Sequence, residues 1–136
     1  EFKAGCGMCD AFSTIEPATA LAELLVLLTL ADHPVDEQDI DLCERTLKEL
    51  RQADPHFARL LAPLSRLRFI EALGHLHAMD PLEVVRQKHA RDLGKALTFL
   101  SPRHKACLRQ TLEAFLDAQP SKGGMALYRV FLSRMA

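Results

Sequence analysis

Apolar residues recur along the chain at the three- and four-residue spacing of amphipathic helices, and Pro or acidic residues mark where most of these helices begin. Leu and Ala fill most apolar positions and runs of β-branched residues are missing, so helix is favoured over strand. Seven helices are predicted, and they begin at or beside Pro17, Asp36, Pro55, Pro63, Pro81, Pro102 and Met125. The pattern therefore predicts an all-α fold, a single compact bundle of about seven helices.

Two of these helices indicate where their buried sides lie. The longest apolar stretch runs from Ala18 to Leu30 and contains one charged residue, Glu23. It is too short for a membrane-spanning helix, which needs roughly 20 residues, so it predicts a central buried helix. The fifth helix carries an apolar stripe that places His89 on the inward side, and its members are Leu82, Val85, His89, Leu93, Ala96, Leu97 and Leu100.

A weak internal echo raises the alternative of a duplicated helical unit. Leu27–Asp32 ends the first helix and leads into a polar turn and a new helix. Ala114–Gln119 does the same after the sixth helix. Each half of the chain would then contribute one such helix end.

Length and composition indicate one domain. The chain has 136 residues and contains no linker or low-complexity segment. We expect residues 12–136 to form a single helical domain, and residues 1–11 to form a flexible leader with tag-derived residues at its start. The N-terminus lacks the basic and apolar regions of a signal peptide, and the four Cys do not resemble a secreted disulfide framework. A cytoplasmic location is expected, either free or as the soluble part of a membrane-associated protein.

Charge is divided unevenly between the two parts of the chain. Residues 1–50 hold three basic and eleven acidic groups, and the remainder holds 14 basic and seven acidic groups. One interpretation is that the two halves attract each other. The other is that the second half presents a basic surface to an acidic partner, with Arg86, Arg91 and Lys95 as the candidate partner-binding residues. Few aromatic residues accompany the basic ones, so nucleic acid is not favoured as a partner.

The turn after the first helix is rich in carboxylates. Asp32, Asp36 and Asp39 are candidate ligands for a hard cation such as Ca²⁺ or Mg²⁺. The turn lacks the central Gly and the closing Glu of an EF-hand. Asp36 and Asp39 also suit the start of the second helix, so capping is the alternative explanation.

The segment Leu30–Asp39 resembles the signature of TerB-like domains. In that signature an apolar helix is followed by Ala-Asp-Gly, an aliphatic residue and a Glu that opens the next helix. Asp32 matches the motif Asp, Val35 matches the aliphatic residue, and Asp39 stands in the place of the Glu. The resemblance covers Phe12–Met135 and implies an all-helical bundle of about this length in a bacterial protein.

Further segments are similar to TerB-like regions that follow a membrane-bound HEXXH zinc metallopeptidase. These segments are Leu64–Leu73 and Leu100–Arg103, although no HEXXH occurs in this chain. The chain departs from the family pattern where His33 replaces the motif Gly, and where Gln119 and Ala126 replace the acidic residues of the second half. If the family's acidic residues bind metal through both halves, half of that site is lost here.

Histidine and cysteine residues provide other candidate ligands. His75 and His77 stand two positions apart, so they point away from each other on a helix and do not chelate from one face. Cys6 and Cys9 form a Cys-x-x-Cys pair that could bind zinc or react as a redox pair, but no second pair stands at zinc-knuckle spacing. Cys43 and Cys107 fall in helical patterns as small core residues.

No catalytic constellation emerges, so no catalytic residue is assigned. The favoured hypothesis is a non-catalytic, TerB-like helical domain that binds a protein or a membrane-associated assembly. One alternative is a metal-binding or metal-sensing domain that holds Ca²⁺, Mg²⁺ or Zn²⁺ at the acidic turn or at Cys and His residues. The other is a small helical enzyme whose site combines His89, His77 and nearby carboxylates.

Overall fold

The computed structural model describes residues 15–119 and 121–136. Every regular element in these residues is a helix, and there are seven of them, which confirms the all-α prediction. They are α1 (Pro17–Leu30), α2 (Glu37–Ala53), α3 (Pro55–Leu60), α4 (Arg66–Ala78), α5 (Glu83–Lys95), α6 (Pro102–Ala118) and α7 (Lys122–Met135). The predicted leader, residues 1–11, and its Cys6–Cys9 pair lie outside the described residues.

Helix α1 is the axis of the bundle. Residues 20–29 are buried without interruption, and α2, α4, α5 and α7 all pack against this helix. Burial on all sides explains why its sequence is apolar all round rather than amphipathic. The prediction of a central buried helix is therefore confirmed. Among the described helices, none combines the length and the apolar character that a membrane-spanning segment needs.

Side-chain caps fix the starts of four helices. Asp36 and Asp39 form a reciprocal capping box at the start of α2, with each carboxylate accepting from the other residue's backbone N–H. Asp54 caps α3, Ser101 caps α6 and Ser121 caps α7. The first three caps stand where the sequence predicts a helix start.

Helices α4 and α5 have ends that differ from the prediction. Helix α4 begins at Arg66 after Ser65, and Pro63 lies in the preceding turn. Helix α5 begins at Glu83, because Asp80 accepts the Leu82 N–H and forms a local turn instead of a cap. It also ends at Lys95, before the end of the predicted stripe.

Helix α7 begins at Lys122 rather than Met125. The Ser121 hydroxyl accepts the Gly124 N–H and starts the helix, so the two glycines lie in its first turn. They lie there because α7 passes close to α1: a Cβ added at Gly123 would stand 2.8 Å from the Ala31 carbonyl oxygen.

Most of the predicted stripe is buried or half-buried, and Leu82 at its start is the exception, with 58% of its surface exposed. The buried residues within α5 itself are Ala90, Leu93 and Gly94. The small residues allow α7 to approach closely, and a Cβ added at Gly94 would stand 2.5 Å from the Phe131 carbonyl oxygen. Backbone proximity, rather than side-chain size, therefore sets this interface.

The α5–α7 contact yields a stability prediction. Gly94→Ala should destabilise the protein by about 1–3 kcal/mol, because the new methyl group overlaps the backbone of α7. Gly74→Ala is the matched control, since nothing lies within 4 Å of a Cβ added there. That change should stabilise α4 by roughly 0.5–1 kcal/mol. Urea denaturation of both variants measures the difference, and equal midpoints would contradict close packing at Gly94.

Candidate metal centre

Glu23 places a carboxylate in the middle of the buried axis helix, and its side chain is only 9% exposed. Two histidines from other helices contact it. His89 Nε2 lies 2.6 Å from Glu23 Oε1, and His75 Nδ1 lies 3.0 Å from Oε2. The two imidazole rings meet edge to face, with centroids 5.7 Å apart. The three side chains thus form one cluster, called here the Glu23 centre.

The packing of α4 and α5 positions the two histidines. On α4, Ala72 and Leu76 enter the core, and His75 lies on the flank of the same helix that faces α1. On α5, His89 precedes the buried Ala90 and is itself 12% exposed. The prediction that His89 points inward is confirmed, although its partner is a carboxylate rather than the Leu/Ala core.

Burial and hydrogen bonding act in opposite directions on Glu23. Burial is the largest single influence and favours the neutral carboxylic acid. The hydrogen bonds from His89 and His75, together with the positive charge these rings can carry, outweigh it. The pKa of Glu23 therefore lies below its ordinary value, and the buried residue is held as a carboxylate.

The Glu23 centre has the donor set and spacing of a transition-metal site. One ligand atom from each of the three residues can be chosen so that all three atoms lie within 4.8 Å of one another. Among the described residues, no other set of three His, Cys, Asp or Glu side chains meets this distance. Ligand atoms about 2.0–2.1 Å from a tetrahedral zinc ion lie roughly 3.3 Å apart. The His89 Nε2–Oε1 and His75 Nδ1–Oε2 separations of 2.6 and 3.0 Å are shorter than this and involve the two different oxygens of Glu23, so the side chains would have to move apart to admit an ion.

The carboxylates of the acidic turn have other partners. Asp36 and Asp39 bind each other's backbone in the capping box. The His33 ring lies between Asp32 and Asp39, with its Nδ1 3.1 Å from Asp32 Oδ2 and its Nε2 3.1 Å from Asp39 Oδ2. Hydrogen bonds to Asp32 and then Asp39 raise the pKa of His33. The His33 imidazole thus joins two of the carboxylates that the sequence predicts as metal ligands.

The two turns of the internal echo lie side by side. The Gln119 amide donates to the Thr29 hydroxyl at 3.2 Å, so the end of α6 meets the end of α1. Ala31 and Ala126 line one small cavity of about 210 Å³ between α1, α5 and α7. Gln119 and Ala126 bring no carboxylate to this junction.

Arg86, the first of the predicted partner-binding residues, also lines that cavity. Arg86 and Arg91 are half-buried, and Lys95 is exposed. Other basic residues pair with the acidic first part of the chain. Arg66 binds Asp41 and Glu44, which accounts for part of the charge division by attraction between helices.

A second cluster joins α3 to the start of α6. Asp54 accepts the His56 N–H, and its other oxygen lies 2.8 Å from Arg103. The rings of His56 and His104 stack with centroids 4.2 Å apart, and His56 Nε2 is buried without a partner among the described residues. The role of this cluster is structural, because it connects α3, a helix of six residues, to the bundle.

The described cysteines lie in helices, as the sequence predicts. Cys43 is buried, and burial raises its pKa to about 12. Cys107 is half-buried, and burial raises its pKa as well. Both thiols are therefore held in the unreactive protonated form. Cys6 and Cys9 lie outside the described residues.

Sequence reasoning missed two of the three residues of the Glu23 centre. Glu23 is the lone charge of the longest apolar stretch, and this is the signal in the sequence that marks it. The two-residue spacing of His75 and His77 excludes chelation by this pair from one face of a helix, but it does not exclude partners on other helices. The proposed combination of His89 with His77 is wrong, because His77 is exposed and His75 is the residue that joins His89.

Comparison with known proteins adds no relative. No family model matches the chain, and no curated protein or solved structure shows significant similarity to it.

The Asp54 cluster yields a pH prediction. The His56 N–H bond, followed by the Arg103 charge, holds the pKa of Asp54 below its ordinary value of 3.8. A lowered carboxyl pKa stabilises the fold above the unfolded-state pKa, and this stabilisation is lost as pH falls through the folded-state value. Asp54→Asn keeps a capping side chain but loses the charge. It should unfold at lower urea than the parent at pH 7, and the gap should narrow in acid as pH falls below 3.8, the ordinary pKa of this carboxyl.

Asp54→Ala serves as the comparison because it removes the cap as well. Its deficit should persist at acid pH, where the charge no longer contributes. A deficit for Asp54→Asn that is the same at neutral and at acid pH would show that charge is not what Asp54 supplies.

Proposed function

We propose that this chain is a divalent-metal-binding domain whose ligands are Glu23, His75 and His89. The observation that carries the proposal is the convergence of a buried carboxylate and two imidazoles from three different helices. Along the chain, Glu23 is 52 positions from His75 and 66 positions from His89, so no local structural need such as capping brings them together.

The energetic position of Glu23 supports this function. A charged group taken out of water costs several kcal/mol unless it is fully partnered, and buried ion pairs are often no more stable than apolar residues of the same size. All other buried residues of α1 except Thr29 are apolar, so another Leu would suit the axis helix. Charged clusters retained in such places are candidate functional sites.

The donor set indicates which ions fit. Two imidazole nitrogens and one carboxylate oxygen suit zinc and the neighbouring transition metals, whereas Ca²⁺ and Mg²⁺ prefer oxygen ligands throughout. Zn²⁺ is therefore the preferred ion of this site. It would replace the protons that the histidines otherwise share with Glu23.

Metal titration tests the proposal. Zn²⁺ and Co²⁺ should bind the full chain at one equivalent, and Ca²⁺ should give no heat in the same calorimetric titration. Free Zn²⁺ at 100 times the dissociation constant should stabilise the fold by about 2.7 kcal/mol, because the ion binds the folded state. The midpoint of thermal unfolding should rise by several degrees.

Matched histidine variants locate the site. His75→Ala should lose most of the zinc affinity, and it should still fold because this side chain is 55% exposed. His77→Ala is the control, since His77 is on the same helix, is exposed and is not part of the cluster. If the parent binds no zinc, or if His77→Ala loses zinc as His75→Ala does, the Glu23 centre is only an internal ion pair.

A second candidate function is a TerB-like interaction domain that recruits a protein or a membrane-associated assembly. It is supported by the resemblance of Leu30–Asp39 to the family signature and by the meeting of the two echo turns through Gln119 and Thr29. The basic residues of α5, with Arg86 beside that junction, are the proposed contact surface.

Charge reversal tests this second candidate. A variant with Arg86, Arg91 and Lys95 changed to Glu should lose partners that the parent recovers in a pull-down, because an acidic partner would be repelled. Reversal of Arg45 and Lys48 on α2 is the control for a general change in net charge. Equal recovery of partners by the two variants would contradict a contact surface on the basic face of α5.

A further inference from the structure

We infer that a metal ion at the Glu23 centre keeps a coordination position open to solvent, and that this position binds a small anionic ligand. The inference rests on the metal-binding function proposed above and specifies the ligand chemistry of the same site.

The cluster is exposed on one side only. The side chains of Glu23 and His89 are 9% and 12% exposed, whereas that of His75 is 55% exposed. An ion held by all three would face the core on the side of Glu23 and His89. On the side of His75 it would face solvent, and a ligand could enter there without opening the bundle.

The number of protein ligands also leaves a position free. Closed structural zinc sites take four protein ligands, and catalytic or exchangeable sites take three and hold water or another ligand in the fourth position. Within the described residues, the group that converges at this point has three members. Three protein ligands are the number that open sites have.

Charge determines the kind of ligand. A divalent ion with one carboxylate and two neutral imidazoles carries a net charge of about +1. Burial of Glu23 and His89 weakens solvent screening of that charge, so a small anion at the open position is stabilised. Carboxylates and small inorganic monoanions are the class that fits.

Neighbouring charges modulate this attraction. Glu71 precedes His75 by one helical turn on the same side of α4, and it is exposed. Its negative charge opposes an incoming anion. Arg68, two turns before His75, binds Thr19 and lies 3.8 Å from Glu16, so its charge is directed along the α1–α4 seam. Removal of the Glu71 charge should therefore strengthen anion binding.

Cobalt substitution provides a direct test, with azide as the probe. The full chain loaded with one equivalent of Co²⁺ should show the visible absorption of a four- or five-coordinate ion. Added azide should shift that spectrum in a saturable manner, because it replaces water at the open position. Cobalt measured after desalting should remain at one equivalent, which shows that azide joins the ion instead of removing it.

Two variants sharpen the result. Glu71→Gln should tighten azide binding by about two- to fivefold, because an opposing charge near the open position is removed. His77→Ala should bind azide as the parent does.

Failure of the two proposals is distinguishable. If cobalt does not bind, the metal-binding function fails and this inference falls with it. If cobalt binds but azide leaves the spectrum unchanged, or strips the metal, the metal-binding function stands and the open anion position is wrong.

Discussion

The need to partner one buried carboxylate organises this bundle. Glu23 lies in the middle of α1, the helix against which four others pack. A charge in that position is tolerated only with full hydrogen bonding. His75 and His89 supply it, and in doing so they connect α4 and α5 to the axis through polar contacts within a mostly apolar core. The most costly group in the core is thus also the point where three helices meet.

Helix α5 links the Glu23 centre to the rest of the molecule. One side reaches α1 through His89, and another lies against α7 at Gly94, where the backbones nearly touch. The basic residues Arg86 and Arg91 belong to the same helix. Any change in how His89 is held therefore acts on a helix that also carries the candidate contact surface. The metal-binding and interaction proposals are in this sense compatible, because both depend on the placement of α5.

The carboxylates of the acidic turn and the carboxylate of Glu23 find their hydrogen-bond partners in opposite ways. Asp36 and Asp39 are crowded in sequence, and they are engaged locally by backbone N–H groups and His33. Glu23 stands alone in sequence, and its partners come from distant helices. A helix start provides unsatisfied N–H donors that attract nearby acidic side chains. The middle of a buried helix provides none, so its carboxylate must find donors through tertiary packing.

The sequence by itself determined the helical class, the number of helices, the buried axis helix and the caps at Asp36, Asp54 and Ser101. These follow from periodicity and from interactions within four residues, which the chain order already contains. Tertiary structure decided the pairing of Glu23 with His75 and His89, and the close approach of α7 to α5 at Gly94 and to α1 at Gly123. Each depends on which helix lies opposite, and helical periodicity shows which side of a helix is buried without showing which helix covers it.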